Sequence, residues 1–282
     1  MSVLSSQIIA LSLFATCLAS AIEIHGHRGS RGTHPENTRP AFEEAVGAGA
    51  YSLELDLQLT GDGVPVLSHD PHVGPERCLP KDGLPKFDPI PLLLLRAADL
   101  SRFDCGSVRA AGFESQQLVP GTPLWTLEAF LKWVRQNHVR QKLVVEIKTD
   151  SSPPPDVAYF VRTVFGLFSQ FDLKGQLWLQ SFSKPVLLAA ARADSSVPRA
   201  LLTEGAANFC EQTLRGKFSM AFPDAQAVNE VTLRACEKAG IPVVPYTVNE
   251  PLEWRRLIGL GVRGIITDYP RALRKFLAAM AQ

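Results

Sequence analysis

The chain has almost no surplus of charge: 29 Lys and Arg stand against 28 Asp and Glu, a formal net charge of +1. That balance removes the broad electrostatic attraction that holds nucleic acid or an anionic membrane, so any phosphate recognition must be local and the expected partner is a small molecule. A run long enough to span a membrane is also missing. The apolar stretch Ile8 to Leu18 covers 11 residues, well short of the roughly 20 that a bilayer-crossing helix requires. Histidine is scarce, with six residues at 25, 27, 34, 69, 72 and 138 and none after His138. A metal site opened by the His25-x-His27 pair, which needs further histidines on later strands, therefore cannot be completed. No two cysteines have the CxxC spacing of a metal knuckle, no glycine-rich dinucleotide fingerprint follows the first strand, and no internal repeat is present.

What is there is apolar enough for one sizeable domain, at 46% hydrophobic and 20% charged residues. The run Ile8 to Leu18 is followed by Ala19-Ser20-Ala21, a small-residue cleavage pattern. Residues 1–21 therefore read as a signal peptide, and 22–282 as an exported domain, periplasmic or secreted. Cys17 offers an alternative, a lipid-anchored product. Cleavage leaves Cys78, Cys105, Cys210 and Cys236 in a compartment that permits disulfides. Their pairing does not follow from their positions, and free buried thiols remain the alternative.

From Ile22 onward, short β-rich runs alternate with segments of helical period. Strands are expected at 22–28, 51–58, 142–148, 176–181, 198–203, 218–222, 241–248 and 263–268. Helical patterns fall at 41–49, 126–136, 157–169, 184–193, 231–239, 250–260 and 271–280. Eight such units match an α/β (β/α)8 barrel of the TIM type. A long insertion after the second strand, about residues 59–124, is rich in proline. On a barrel it would overhang the C-terminal mouth, where active sites lie.

Strand alternation places Glu54 and Asp56 on one face and the leucines of Leu53-Glu54-Leu55-Asp56-Leu57 on the other. Two carboxylates inside a barrel repel each other and lose hydration unless a cation compensates. The segment Val145-Glu146-Ile147-Lys148 adds a third carboxylate and a lysine on one face. Three carboxylates suit a hard ion, Ca²⁺ or Mg²⁺, rather than zinc. An internal ion pair between Glu146 and Lys148 is the structural alternative. The first strand ends in His27-Arg28-Gly29, and the segment after the second strand returns as Val64 to Leu67 and ends in His69. Two histidines thus converge above an acidic site, suited to take a proton from an attacking oxygen and to give one to a leaving alkoxide. Arg28 and Lys148 are positioned to bind phosphate oxygens. His25 reads as a hydrogen-bonded lining residue, and His34 and His72 as solvated loop residues.

The ordered set His27-Arg28-Gly29, Pro35-Glu36-Asn37-Thr38, Glu54-Leu55-Asp56, Asp62-Gly63-Val64-Pro65-Val66, His69-Asp70, Glu146-Ile147-Lys148, Ser181-Phe182, Thr247-Val248-Asn249 and Gly264-Ile265-Ile266-Thr267-Asp268 resembles the motifs of the glycerophosphodiester phosphodiesterase family. The resemblance covers nearly all of the chain after residue 21. It implies a barrel with an insertion after its second strand and metal-dependent hydrolysis of glycerophosphodiesters to an alcohol and glycerol 3-phosphate. It further implies that His27 and His69 are the acid and base, that Glu54, Asp56 and Glu146 hold one divalent cation, and that Arg28 and Lys148 contact the phosphate. Many relatives carry tryptophan before the TVN stretch; here it is Tyr246, a candidate substrate contact. Residues 71–95 match no pattern of the family. Glu36 either supports the site or serves helix entry. Two other functions remain open: phospholipase D-like action on lysophospholipids, which an apolar mouth around Ile90 to Leu95 would favour, and a non-catalytic barrel that binds phosphate esters.

Overall fold

The computed structural model describes residues 22–82 and 87–282. The expected signal peptide and Cys17 lie outside the described residues. The chain order is β1 (Glu23–Gly26), α1 (Arg39–Gly47), β2 (Ser52–Leu59), then an insertion with β3 (Pro65–Leu67), β4 (His72–Val73), β5 (Leu79–Pro80), β6 (Ile90–Pro91) and β7 (Phe103–Asp104). There follow α2 (Leu127–Gln136), β8 (Lys142–Ile147), α3 (Val157–Gln170), β9 (Leu177–Ser181), α4 (Lys184–Ala193), β10 (Arg199–Thr203), α5 (Phe209–Gly216), β11 (Met220–Pro223), α6 (Glu230–Lys238), α7 (Pro251–Leu260), β12 (Gly264–Thr267) and α8 (Pro270–Met280).

The barrel strands pair in parallel in the order β11-β10-β9-β8-β2-β1-β12. Residues 241–248 close the circle, but not as the continuous strand expected. Val244 N and Tyr246 N bond to Ala221 O and Pro223 O on the β11 side. On the β12 side Ile266 N bonds to Pro245 O, and Val248 N to Ile266 O. Pro242 and Pro245 have no N–H to offer, so the segment makes isolated bridges where a ladder would need donors. The stave is irregular, and the (β/α)8 architecture holds.

Burial follows the alternation of each strand. On β2 and β8, Leu53, Leu55, Leu57, Leu143, Val145 and Ile147 point outward and pack with Phe130, Phe160 and Phe168 of the surrounding helices. Inward-facing apolar residues, among them Val144, Ala200, Phe222 and Ile266, fill the interior. The polar inward residues Glu54, Asp56 and Glu146 lie among the buried side chains above them. Helix α1 begins two residues before its expected start because Pro40, with φ preset and no N–H, suits the first turn. Helix α5, between β10 and β11, was not among the helical patterns read from the sequence.

The insertion is a small unit of its own. Strand β3 runs antiparallel to β2, and two-stranded sheets β4·β6 and β5·β7 follow. Val66, Val73, Leu92, Leu95, Leu100 and Phe103 form its core around the Cys78–Cys105 disulfide. A second disulfide, Cys210–Cys236, joins α5 to α6. The four cysteines thus pair within the insertion and within the barrel wall, not between them.

Candidate active site

The site begins with a sharp turn at the end of β1. A Cβ on Gly26 would lie 2.4 Å from Gly29 O, so only glycine fits. Arg28 (φ 48°) and Gly29 (φ 86°) then adopt left-handed backbone, a costly conformation for a non-glycine residue. The turn aims the Arg28 N–H at Glu54 Oε2, 2.8 Å away, and presents the Arg28 and His27 side chains to the mouth.

Below this turn, ligand oxygens of Glu54, Asp56 and Glu146 all lie within 4.8 Å of one another, and all three residues are buried. Gln180 on β9 donates to Glu54 Oε1 at 2.8 Å, and Asn37 donates to Asp56 Oδ2 at 3.0 Å. Two cations reach into the cluster. Arg28 Nε is 3.1 Å from Asp56 Oδ2, and Lys148 Nζ is 3.1 Å from Asp56 Oδ1 and 3.0 Å from Glu146 Oε1.

These charges are unevenly satisfied. Burial would raise Asp56, but Arg28 and Lys148 outweigh it and hold that carboxyl well below its usual range. Burial and the neighbouring Asp56 push Glu54 well above its usual value. Burial lifts Glu146 to about 7 despite Lys148. Three buried carboxylates thus share two cations, Arg28 and Lys148, which leaves the cluster short of positive charge. A buried set of hard oxygen donors with that deficit fits a divalent cation such as Ca²⁺ or Mg²⁺.

Each histidine is backed by a carboxylate. His27 Nδ1 lies 2.7 Å from Asp268 Oδ1, and Asp268 is itself fixed by Asn249, whose Nδ2 donates to Oδ2 at 2.7 Å. His69 Nδ1 lies 2.8 Å from Asp70 Oδ1, and Arg77 Nε donates to Asp70 Oδ2 at 2.6 Å. A carboxylate only accepts, so Nδ1 carries the proton in both rings and each Nε2 is left free for chemistry. Burial lowers the His27 pKa, with Asp268 opposing. Hydrogen bonding from His69 and the Arg77 charge hold Asp70 below the ordinary aspartate range.

A cavity of about 210 Å³ brings together His27, Arg28, Glu54, Asp56, His69, Glu146, Lys148 and Tyr246. Every site residue expected from the sequence lines it. Phe182, Leu202 and Ile266 supply an apolar side. The Tyr246 hydroxyl donates to Thr203 O at 3.1 Å, and its ring meets Phe182 edge to face at 6.0 Å. Burial and Asp224 raise the Tyr246 pKa, so it stays a neutral phenol.

His25 lies deeper, with Nδ1 2.7 Å from Ser52 Oγ and Nε2 3.5 Å from Glu23. The leucines of Ile90 to Leu95 do not form an apolar mouth: Leu92 and Leu95 are buried in the insertion core, and none of the six lines the cavity. Six supporting residues were given no role from the sequence: Asn37, Asp70, Arg77, Gln180, Asn249 and Asp268. Gln180 carried a signal, since it is a polar residue at an inward position of an otherwise apolar strand, Leu177-Trp178-Leu179-Gln180.

The sequence model of the Glycerophosphoryl diester phosphodiesterase family matches residues 27–272. A glycerophosphodiester phosphodiesterase of Bacillus subtilis (strain 168) is 28% identical over 258 residues, covering 88% of this chain and 84% of its own. A lysophospholipase D of Homo sapiens is 25% identical, covering 91% of this chain and 85% of its own. A crystal structure from Silicibacter pomeroyi DSS-3 superposes with a TM-score of 0.86 at 25% identity, covering 92% of this chain and 94% of that one.

Proposed function

The chain belongs to the glycerophosphoryl diester phosphodiesterase family, and from that premise we propose that it hydrolyses glycerophosphodiesters to an alcohol and glycerol 3-phosphate with one divalent cation, Ca²⁺ or Mg²⁺. The observation that carries this reading is the shared cavity. Two histidines, each with Nδ1 held by a carboxylate, border the same 210 Å³ as three buried carboxylates, Arg28 and Lys148.

In this reading Glu54, Asp56 and Glu146 hold the cation. When bound, it supplies Lewis-acid stabilisation of the negative charge that grows on the phosphoryl oxygens. Arg28 and Lys148 bind non-bridging oxygens and orient the phosphorus for in-line attack. One of His27 and His69 accepts a proton from the attacking water as its oxygen bonds to phosphorus. The other protonates the leaving alkoxide as the phosphorus–oxygen bond breaks. Asp268 and Asp70 hold the two rings so that each Nε2 faces the reacting atoms. Tyr246 and Phe182 wall the side where glycerol or head group rests.

A second reading, phospholipase D-like cleavage of lysophospholipids, is favoured by the resemblance to the human lysophospholipase D and by the apolar side of the cavity. The two separate in one assay. Glycerophosphocholine, glycerophosphoethanolamine and lysophosphatidylcholine are each supplied with Ca²⁺ or Mg²⁺, and the products are identified. Glycerol 3-phosphate from the deacylated diesters supports the first reading. Turnover of lysophosphatidylcholine alone supports the second, and binding without turnover across the panel sinks both in favour of a phosphate-ester binding barrel. Export, as a periplasmic or secreted protein or one anchored through Cys17, is supported by the two disulfides, which persist in oxidising compartments.

A further inference from the structure

Arg77, in the insertion, touches neither the cavity nor any carboxylate of the Glu54, Asp56 and Glu146 cluster. Its guanidinium nevertheless joins two parts of the site that come from different ends of the fold. Nε donates to Asp70 Oδ2 at 2.6 Å, and the other oxygen of Asp70 holds His69 Nδ1. Nη1 pairs with Glu36 Oε1. The same oxygen of Glu36 accepts from Arg28 Nη1 at 2.8 Å. A continuous chain of charge-assisted contacts thus runs His69, Asp70, Arg77, Glu36, Arg28. Its ends are one of the proton-transfer histidines and one of the phosphate-contacting cations.

Arg77 is itself held from behind. The N–H groups of Arg77 and Cys78 both bond to Gly74 O, at 3.1 and 3.0 Å, which closes a tight turn. Cys78 is bonded to Cys105, and Cys105 N donates to Thr122 O at 2.7 Å. Next to Cys105, Asp104 accepts from the N–H groups of Gly106 and Gly121. The disulfide therefore fixes the residue beside Arg77 to a well-bonded anchor.

We infer that Arg77, held in place by the Cys78–Cys105 disulfide, is a positioning residue that keeps His69 in register with Arg28 through Asp70 and Glu36. The inference rests on the roles proposed above for His69 and Arg28. A planar guanidinium reaches two carboxylates at once, whereas an ammonium is a single point charge. Without that bridge Asp70 loses the contact that fixes its second oxygen, and the imidazole it carries is free to turn. Misplacement of a reacting group by about 1 Å costs on the order of 100-fold in rate.

The test uses glycerophosphocholine with Ca²⁺ or Mg²⁺ and compares the full-length wild type with R77Q, R77K, C78S/C105S and the triple variant C78S/R77Q/C105S. Circular dichroism of each reports the folded fraction. R77Q is expected to lower kcat by about 10- to 100-fold, and R77K to recover part of that loss. C78S/C105S is expected to lower kcat by itself but to add little in the R77Q background, because both changes act through one group. Wild-type kcat in R77Q overturns the inference. So does a loss in R77Q and R77K alike that follows the folded fraction, or a disulfide effect that multiplies in full with R77Q. An inactive wild type would overturn the proposed function and this inference with it; an active wild type with an equally active R77Q would overturn the inference alone.

Discussion

His27 and Asp268 are 241 residues apart in the chain and 2.7 Å apart in the structure, Nδ1 against Oδ1. Pairing of β1 with β12 as the barrel closes is what makes them neighbours. The carboxylate selects the tautomer that leaves Nε2 facing the cavity, so Asp268→Asn should leave the fold intact and present the wrong tautomer. A comparable change beneath a catalytic histidine costs about 10⁴-fold in kcat. Steady-state kinetics alongside circular dichroism should show a kcat loss of at least about 10²-fold with an unchanged spectrum. Near-wild-type turnover would remove Asp268 from the site.

How much of this was legible depended on whether the signal was local. Glu54 and Asp56 stand out because strand alternation separates them from Leu53, Leu55 and Leu57, and a carboxylate inside a parallel barrel needs a reason. Glu146 and Lys148 follow the same rule. The partners that tune those residues were not legible in this way. Asp268 and Asn249 reach His27 only when the barrel closes, and Arg77 reaches Asp70 only when the insertion folds around Cys78–Cys105. Disulfide pairing depends on the folded path, which four cysteine positions do not encode. The break in the stave at 241–248 did have a local cause, since Pro242 and Pro245 interrupt the ladder. The apolar run Leu92 to Leu95 carried no sign of whether its leucines would line the mouth or fill a core.

Asn37 holds Asp56 from two directions, donating to Oδ2 at 3.0 Å and accepting from the Asp56 N–H at 3.3 Å. If Asp56 is a metal ligand, Asn37→Ala should raise the cation concentration for half-maximal activity by about 10- to 100-fold, the usual effect of losing a group that orients a ligand. Titration of chelator-treated enzyme with Ca²⁺ and with Mg²⁺ measures it. An unchanged midpoint for both ions would separate Asn37 from cation binding.

The Cys210–Cys236 disulfide lies in the barrel wall and spans 26 residues of sequence. Closing a loop of that size contributes roughly 3 kcal/mol by the chain-entropy account. In a chain of this length that corresponds to a fall in Tm of about 5 °C. C210S/C236S should therefore melt earlier while kcat stays at the wild-type value, because neither cysteine lines the cavity. Equal melting temperatures with and without the bond would contradict the expectation.

His25 sets a pH dependence of stability rather than of activity. Burial lowers its pKa below the ordinary 6.5, with Glu23 opposing. The unfolded chain therefore takes up a proton below about pH 6.5 that the folded state refuses, and stability falls as pH drops below about 6.5. Burial gives His27 the same sign. In His25→Asn, where the amide retains a partner for Ser52, the decline of Tm over that window should be shallower than in wild type. Parallel curves would show that His25 contributes nothing.

The most direct measurement follows glycerophosphocholine by ³¹P NMR with enzyme and Ca²⁺ or Mg²⁺, for wild type, wild type plus chelator, and His27→Ala. Wild type should convert the diester resonance to that of glycerol 3-phosphate. Both chelation and His27→Ala should abolish the conversion, with restoration when cation is returned to the chelated enzyme. A diester signal that persists with wild type and either cation, or conversion that survives either chelation or His27→Ala, would contradict a metal-dependent phosphodiesterase built on His27 and His69.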